Sequence, residues 1–337
     1  MRRTLAASRP GQAPAWFSAG LFLLLAVCTW IAYTPARDAP FVFDDVVLQA
    51  DPALAARSAG DVAAVLGRPA EPRRVGYASF ALGSWLGARS PGDHRRANLA
   101  IHVLNGLLLF LLGRTLLERG AVAHPGLAAG LGALLWALHP VQTQAVTYVC
   151  QRFASLATCF YLASMLCLLA GLAPGRRAGP RAGLLLAAAA LGALALGTKQ
   201  NAATLPLFMV LALAWWRPVP LAQGRRWLAA AGALALAGAA WLALGPGWAA
   251  VEAGSRLKGF TPLQRVMTEW RVIVHYVTLL AWPDPSRLQL DHDFPLSHGL
   301  LTPPGTLAAL LAIGAALFAA LAFRRREPLL SLYDQEG

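Results

Sequence analysis

The sequence predicts an all-α polytopic membrane protein, and three observations predict it. Of its 337 residues, 57% are hydrophobic and only 13% charged, against roughly 25% charged in ordinary soluble domains. Apolar runs of span length, about 17–25 residues, recur at 16–34, 97–117, 126–146, 153–172, 182–198, 201–216, 227–245 and 304–323. The basic residues sit in short clusters between those runs. The net charge of +13 therefore reads as cytoplasmic loops under the positive-inside bias. It does not read as a nucleic-acid surface, because no basic stretch is interleaved with exposed aromatics.

The first run, Trp16 to Tyr33, is longer than a cleavable signal core of about 7–15 residues, so it predicts a retained span. With the N-terminal Arg2, Arg3 and Arg9 in the cytoplasm, alternation of the eight runs puts every internal arginine cluster inside. These are Arg114 with Arg119, Arg176 with Arg177 and Arg181, Arg217 with Arg225 and Arg226, and Arg324 to Arg326. A ninth apolar stretch, 266–282, is interrupted by Glu269, Arg271 and His275. Charges at bilayer depth are costly, and a full crossing would turn the final arginines outward, so an interfacial helix is expected there. The first loop 35–95 and the stretch 246–302 then lie outside, with nearly all the chemically interesting polar residues. Only Lys199 and Lys258 are lysines among the 29 basic residues. That bias, with heavy Ala, Gly, Leu and Arg use, points to a GC-rich bacterial genome and so to a bacterial inner membrane. Cys28, Cys150, Cys159 and Cys167 lack metal-type spacing and read as small packing residues.

Several groups could carry chemistry, each with a plainer explanation beside it. Asp44-Asp45, flanked by Phe41, Val42 and Phe43, could supply a general base or hold a divalent cation; taken alone, such a pair is better explained by an Asx turn leaving the membrane. His94, Asn98, His102 and Asn105 recur at helical spacing on one face, which suits either a cavity lining or hydrogen bonding between helices. His139-Pro140 closes the third run, and Arg152 stands at the lip of the fourth. There a guanidinium can fork onto a phosphate or snorkel to the interface. Lys199 lies between the fifth and sixth runs, a retained lysine where an ammonium could be required, although lysines at span ends usually anchor to headgroups. Arg73-Arg74 precedes an amphipathic stretch, Val75 to Trp85, which could rest on anionic headgroups. No P-loop, GxSxG, HExxH or CxxC motif occurs, which removes the common nucleotide, serine-hydrolase and zinc hypotheses.

In order, the chain shows Asp44-Asp45 after the first span, Arg73-Arg74 before Ser79-Phe80-Ala81-Leu82, and His94-x-x-x-Asn98-x-x-x-His102. Then follow Ala137-Leu138-His139-Pro140-Val141-Gln142-Thr143-Gln144, Gln151-Arg152-Phe153-Ala154-Ser155-Leu156, and Lys199-Gln200-Asn201-Ala202. Arg271 to Tyr276 and Leu290-Asp291-His292-Asp293-Phe294-Pro295 come last. This ordered set resembles the membrane part of bacterial transmembrane and tetratricopeptide-repeat O-mannosyltransferase-like proteins, which are class C (GT-C) glycosyltransferases. The resemblance covers about 16 to 326.

It implies a GT-C helical bundle over 1–326 with about eight spans and a catalytic acid in the first external loop. It also implies inverting transfer of a sugar, mannose in the family's name, from a polyprenyl-phosphate carrier to a hydroxyl of a secreted or membrane protein. On that basis Asp44 and Asp45 are the catalytic pair, and Arg152, Lys199, Arg73 and Arg74 the donor-phosphate cations. His139, His94, Asn98 and His102 support them. A divalent cation at the aspartates is the one cofactor left open. Two departures stand out: the family shows Lys-Glu where this chain has Lys199-Gln200, and the tail 327–337 carries no tetratricopeptide repeat, so a shortened form is expected. Alternatives are a GT-C enzyme acting on a glycolipid or surface polysaccharide, an inactive scaffold, and a transporter-like protein.

Overall fold

The structure is a computed structural model that describes residues 15–69, 71–118, 122–216 and 246–324. Every regular element among them is helical. The chain divides into two compact units, Met1–Pro220 and Leu221–Gly337.

In the first unit, α1 (Ala15–Tyr33) leads into a long connection that is itself largely helical: α2 (Asp44–Gln49), α3 (Ala59–Leu66) and α4 (Arg74–Trp85). The bundle continues with α5 (Pro91–Leu117), α6 (Pro125–Leu138), the short α7 (Thr143–Thr147), α8 (Arg152–Gly171), α9 (Ala178–Thr198) and α10 (Leu205–Trp216). Local chemistry sets the starts. Ser58 with Asp61 and Ser90 with Asp93 form capping boxes at α3 and α5, the latter with proline at the first helical position.

Four segments are long and apolar enough to cross a membrane: Phe17–Ala36, Pro91–Leu117, Val149–Gly171 and Ala178–Thr198. Three apolar helices are shorter, at Pro125–Leu138, Gln200–Leu213 and Gly305–Ala320. The eight expected runs are thus not eight full-length helices. The run 126–146 breaks at Leu138 because Pro140 offers no amide hydrogen and its ring opposes helix continuation. The run 201–216 begins as a 3-10 turn over Gln200–Thr204 before α10. The run 227–245 and the tail 327–337 lie outside the described residues.

The apolar helices leave large side chains bare. Leu23 and Ile31 of α1 are each 65% exposed, Leu135 of α6 70% and Leu186 of α9 71%. Water would penalise such a surface, whereas lipid accepts it. Between helices the contacts are close. A Cβ on Gly106 of α5 would stand 2.9 Å from Leu25, and one on Gly130 of α6 would stand 2.6 Å from Leu21, so α1 packs tightly on both. Helices consecutive in the bundle run antiparallel, so α6 runs parallel to α1: Tyr33 at the end of α1 donates to the Ala137 carbonyl at 3.1 Å, near the end of α6. At the opposite end Arg114 donates to Ser18 at 3.4 Å.

The second unit contains α11 (Pro246–Leu257), α12 (Pro262–Ala281) and α13 (Gly305–Arg324). The polar stripe of α12 is taken up by the segment that follows it. Gln264 meets His298 at 3.0 Å, Thr268 accepts from the Ser297 amide at 2.9 Å, and Arg271 donates to the Pro295 carbonyl at 2.7 Å. Arg287 donates to Thr278 at 2.7 Å. The opposite side exposes Leu263, Val266, Ile273, Tyr276, Val277 and Leu280. This helix is not among the membrane-length apolar segments.

Candidate functional site

The groups singled out in the first unit converge at one end of its bundle. The antiparallel order puts the end of α1, the start of α5, the end of α6, the start of α8 and the end of α9 together. The first loop folds over that end through α4: a Cβ on Gly76 would overlap the Phe153 ring and stand 3.4 Å from the Thr198 carbonyl.

The two aspartates have separate environments. Asp45 is fully buried. Its carboxylate accepts the Cys150 amide at 2.7 Å and the Val149 amide at 3.2 Å, capping the turn that starts α8. Burial pushes its carboxyl above the usual range, against the pull of those amides and of Arg95. Asp44 is exposed, and its amide donates to the Tyr148 hydroxyl at 3.0 Å. Phe43 just before it has φ +53°, a conformation that costs a non-glycine residue about 1–3 kcal/mol. The strained turn and the Tyr148 contact hold Asp44 at the surface while Asp45 anchors beneath.

The cations are equally distinct. Arg152 is 1% exposed and its donors are spent inside the fold. It donates to Asn98 Oδ1 at 2.8 Å, the His94 carbonyl at 2.7 Å and the Ser79 carbonyl at 3.4 Å, with its guanidinium 4.2 Å from the Phe80 ring centre. It ties α4, α5 and α8 together. Lys199 follows the last residue of α9 and is half-buried; its ammonium makes no hydrogen bond or ion pair among the described residues. Burial, and secondarily the Arg73 guanidinium, hold its pKa below the ordinary lysine value. Arg73 is half-buried over the Phe153 ring at 5.0 Å, and Arg74 is exposed. Cys150 lies within electrostatic range of Asp44, Asp45, Arg73 and Lys199.

The histidine and asparagine stripe of α5 is structural in its contacts. Asn98 donates towards the Val146, Tyr148 and Val149 carbonyls at 3.3–3.5 Å. His102 pairs with the Ala137 carbonyl at 2.9 Å, and Asn105 donates to the Ser155 carbonyl at 2.8 Å. His94 packs against the Phe80 ring at 5.9 Å. His139 accepts the Val141 amide at 3.3 Å, shaping the turn after α6.

Two residues that the sequence reading passed over matter here. Tyr148 holds the Asp44 turn. Arg95, 4% exposed, donates to the carbonyls of Thr147 at 2.7 Å and Pro40 at 2.6 Å, and also to those of Arg37 and Ala39. Its position one step beyond His94 on α5 was the available signal. A divalent cation finds little purchase: Asp45 is committed to amides, and the described residues contain no cluster of three metal-ligating side chains.

Comparison with protein-family models, with curated proteins and with solved structures returns no match in any of the three.

Proposed function

We propose that this chain is a membrane-embedded GT-C glycosyltransferase that moves a sugar from a polyprenyl-phosphate carrier to a hydroxyl of a secreted or membrane protein. The observation that carries the reading is that an exposed carboxylate, Asp44, and two cations without carboxylate partners among the described residues, Lys199 and Arg73, all lie within electrostatic range of Cys150. Asp44 takes the proton of the acceptor hydroxyl. The acceptor oxygen attacks the anomeric carbon from the face opposite the phosphate, and the bond from that carbon to the phosphate oxygen breaks. The carrier phosphate leaves with the electron pair, and Lys199 and Arg73 meet the charge that develops on it. Arg74 lies exposed beside them as a further phosphate contact. Asp45, Arg152, His94, Asn98, His102 and His139 hold the frame.

The rest of the arrangement belongs to the same proposal: about eight spans, a bacterial inner membrane, a cytoplasmic N-terminus, an active end outside and α12 lying in the interface. The exposed apolar stripe of α12 and its internally satisfied polar stripe support that last placement. The test is transfer by the purified chain in proteoliposomes, given polyprenyl-phosphate mannose and a membrane-protein acceptor fraction. The expected result is labelled protein with inverted anomeric configuration, and none with a nucleotide sugar as donor. No transfer from polyprenyl-phosphate mannose, glucose or galactose would refute the proposal.

A further inference from the structure

A shallow open cleft lies on the first unit where α1 ends and α5 begins. Its inner wall is apolar: Tyr33, Leu99 and Val146 are all nearly buried. Trp30, 49% exposed, stands beside it on the last turns of α1. Arg37 and Arg96 form the rim. Both are exposed, and each rests on a neighbouring carboxylate, Arg37 on Asp38 at 3.1 Å and Arg96 on Asp93. Exposed pairs of this kind contribute little and exchange partners readily.

The decisive feature is at the back of the cleft. Arg95 lines it, and all its direct partners are neutral backbone carbonyls. Among the described residues no carboxylate bonds this guanidinium directly, and Asp45 and Asp38 act on it at longer range. The location adds the second half. The cleft lies at the ends of two membrane-length segments, Phe17–Ala36 and Pro91–Leu117, the depth where lipid phosphates and interfacial tryptophans meet. An anion here would have arginines around its phosphate and an apolar wall for the first methylenes of its chain.

We propose that this cleft binds the phosphate of an anionic membrane lipid, with Arg37 and Arg96 closing on the headgroup over the fixed charge of Arg95. The site is separate from the Asp44, Lys199 and Arg73 group and does not depend on any transfer activity. When a lipid arrives, the rim arginines exchange Asp38 and Asp93 for the lipid phosphate, and Trp30 lies along the glycerol and upper chain. Arg95 does not move, because its carbonyl partners hold the start of the first loop against α7.

The test is native mass spectrometry of the full chain in detergent, titrated separately with phosphatidylglycerol, phosphatidylcholine and inorganic phosphate. One phosphatidylglycerol should be retained in preference to phosphatidylcholine, and inorganic phosphate should not compete at millimolar concentration. The double variant Arg37→Gln, Arg96→Gln should lose about 30-fold in phosphatidylglycerol affinity, at roughly 1 kcal/mol per basic residue near anionic lipid. Both residues are exposed, so the variant should fold. Thr34→Phe, which fills the cleft mouth from an exposed position, should weaken retention while leaving both arginines in place. Equal retention of the two lipids, or unchanged affinity in both variants, would overturn the proposal. Binding of inorganic phosphate as tight as that of the lipid would overturn its lipid part and leave a plain anion site.

Discussion

Replacing Asp45 with alanine should destabilise the first unit, whereas replacing Asp44 should not. Asp45 is fully buried and accepts two amides, at 2.7 and 3.2 Å. Alanine would orphan both N–H groups, at about 1–3 kcal/mol each. The burial that raises the Asp45 pKa works the other way, since removing a charge from that site refunds part of its desolvation. The expected net loss is about 2–3 kcal/mol, on balance of these opposing terms. The sign of the pH dependence follows from the raised value. A carboxyl whose folded pKa lies above the unfolded one stabilises the fold below the unfolded value, and that contribution is lost as pH rises through the folded value. Asp45→Asn should flatten the stability curve in the window above 3.8. Asp44→Ala should move stability by no more than about 0.5 kcal/mol, as for other exposed substitutions, because its bond to Tyr148 comes from the backbone. Thermal unfolding in lipid nanodiscs, followed by circular dichroism between pH 4 and 8, measures all three variants. Equal loss for Asp44→Ala and Asp45→Ala would refute the division of labour, and so would an unaltered Asp45→Ala protein.

Arg152→Ala should cost about 3 kcal/mol or more, because it orphans buried acceptors and opens a cavity under Phe80. Arg152→Lys should not restore the loss, since an ammonium cannot fork between Asn98 and His94; wild-type melting of the lysine variant would contradict this. Lys199→Ala should leave melting unchanged and raise the donor KM about 10- to 100-fold, the usual weight of a charge-assisted phosphate contact. Because Lys199 is held below the ordinary 10.5, donor use should fall at a lower alkaline pH than an unperturbed lysine would give. Lys199→Arg should remove that fall, and an identical pH profile would reject the assignment. Gly76→Val should destabilise by about 1–3 kcal/mol, the range for overpacking, because even a Cβ overlaps Phe153; an unchanged melting temperature would show that α4 can lift away freely.

Helical class, membrane-length segments and the clustering of polar groups at one end were legible because they rest on local signals. Apolarity, arginine clusters and the three- and four-residue spacing of His94, Asn98, His102 and Asn105 need no tertiary information. The failures share one cause. The run 126–146 has span length, and length alone carries it through His139-Pro140, where the structure ends α6 at Leu138. Arg152 reads at the sequence level as a lip residue, yet its partners come from α4 and α5, more than 50 residues away. Asp45 and Asp44 are indistinguishable as a dipeptide, and only the amides of Val149 and Cys150 separate them. Arg95 lies next to His94, and the sequence pattern assigns it no role. The four carbonyls that bury it come from Arg37 to Pro40 and from Thr147, and nothing in the spacing announces their convergence.

The proposal turns on Asp44, an exposed carboxylate, activating an acceptor hydroxyl while Lys199 and Arg73 meet the donor phosphate. The most direct measurement is the rate of sugar transfer from polyprenyl-phosphate mannose by Asp44→Asn, beside the wild-type chain in the same proteoliposomes, with melting recorded on the same samples. Loss of a general base predicts a fall of about 10²- to 10⁴-fold at unchanged melting temperature. Transfer at the wild-type rate by the folded Asn variant would contradict the claim.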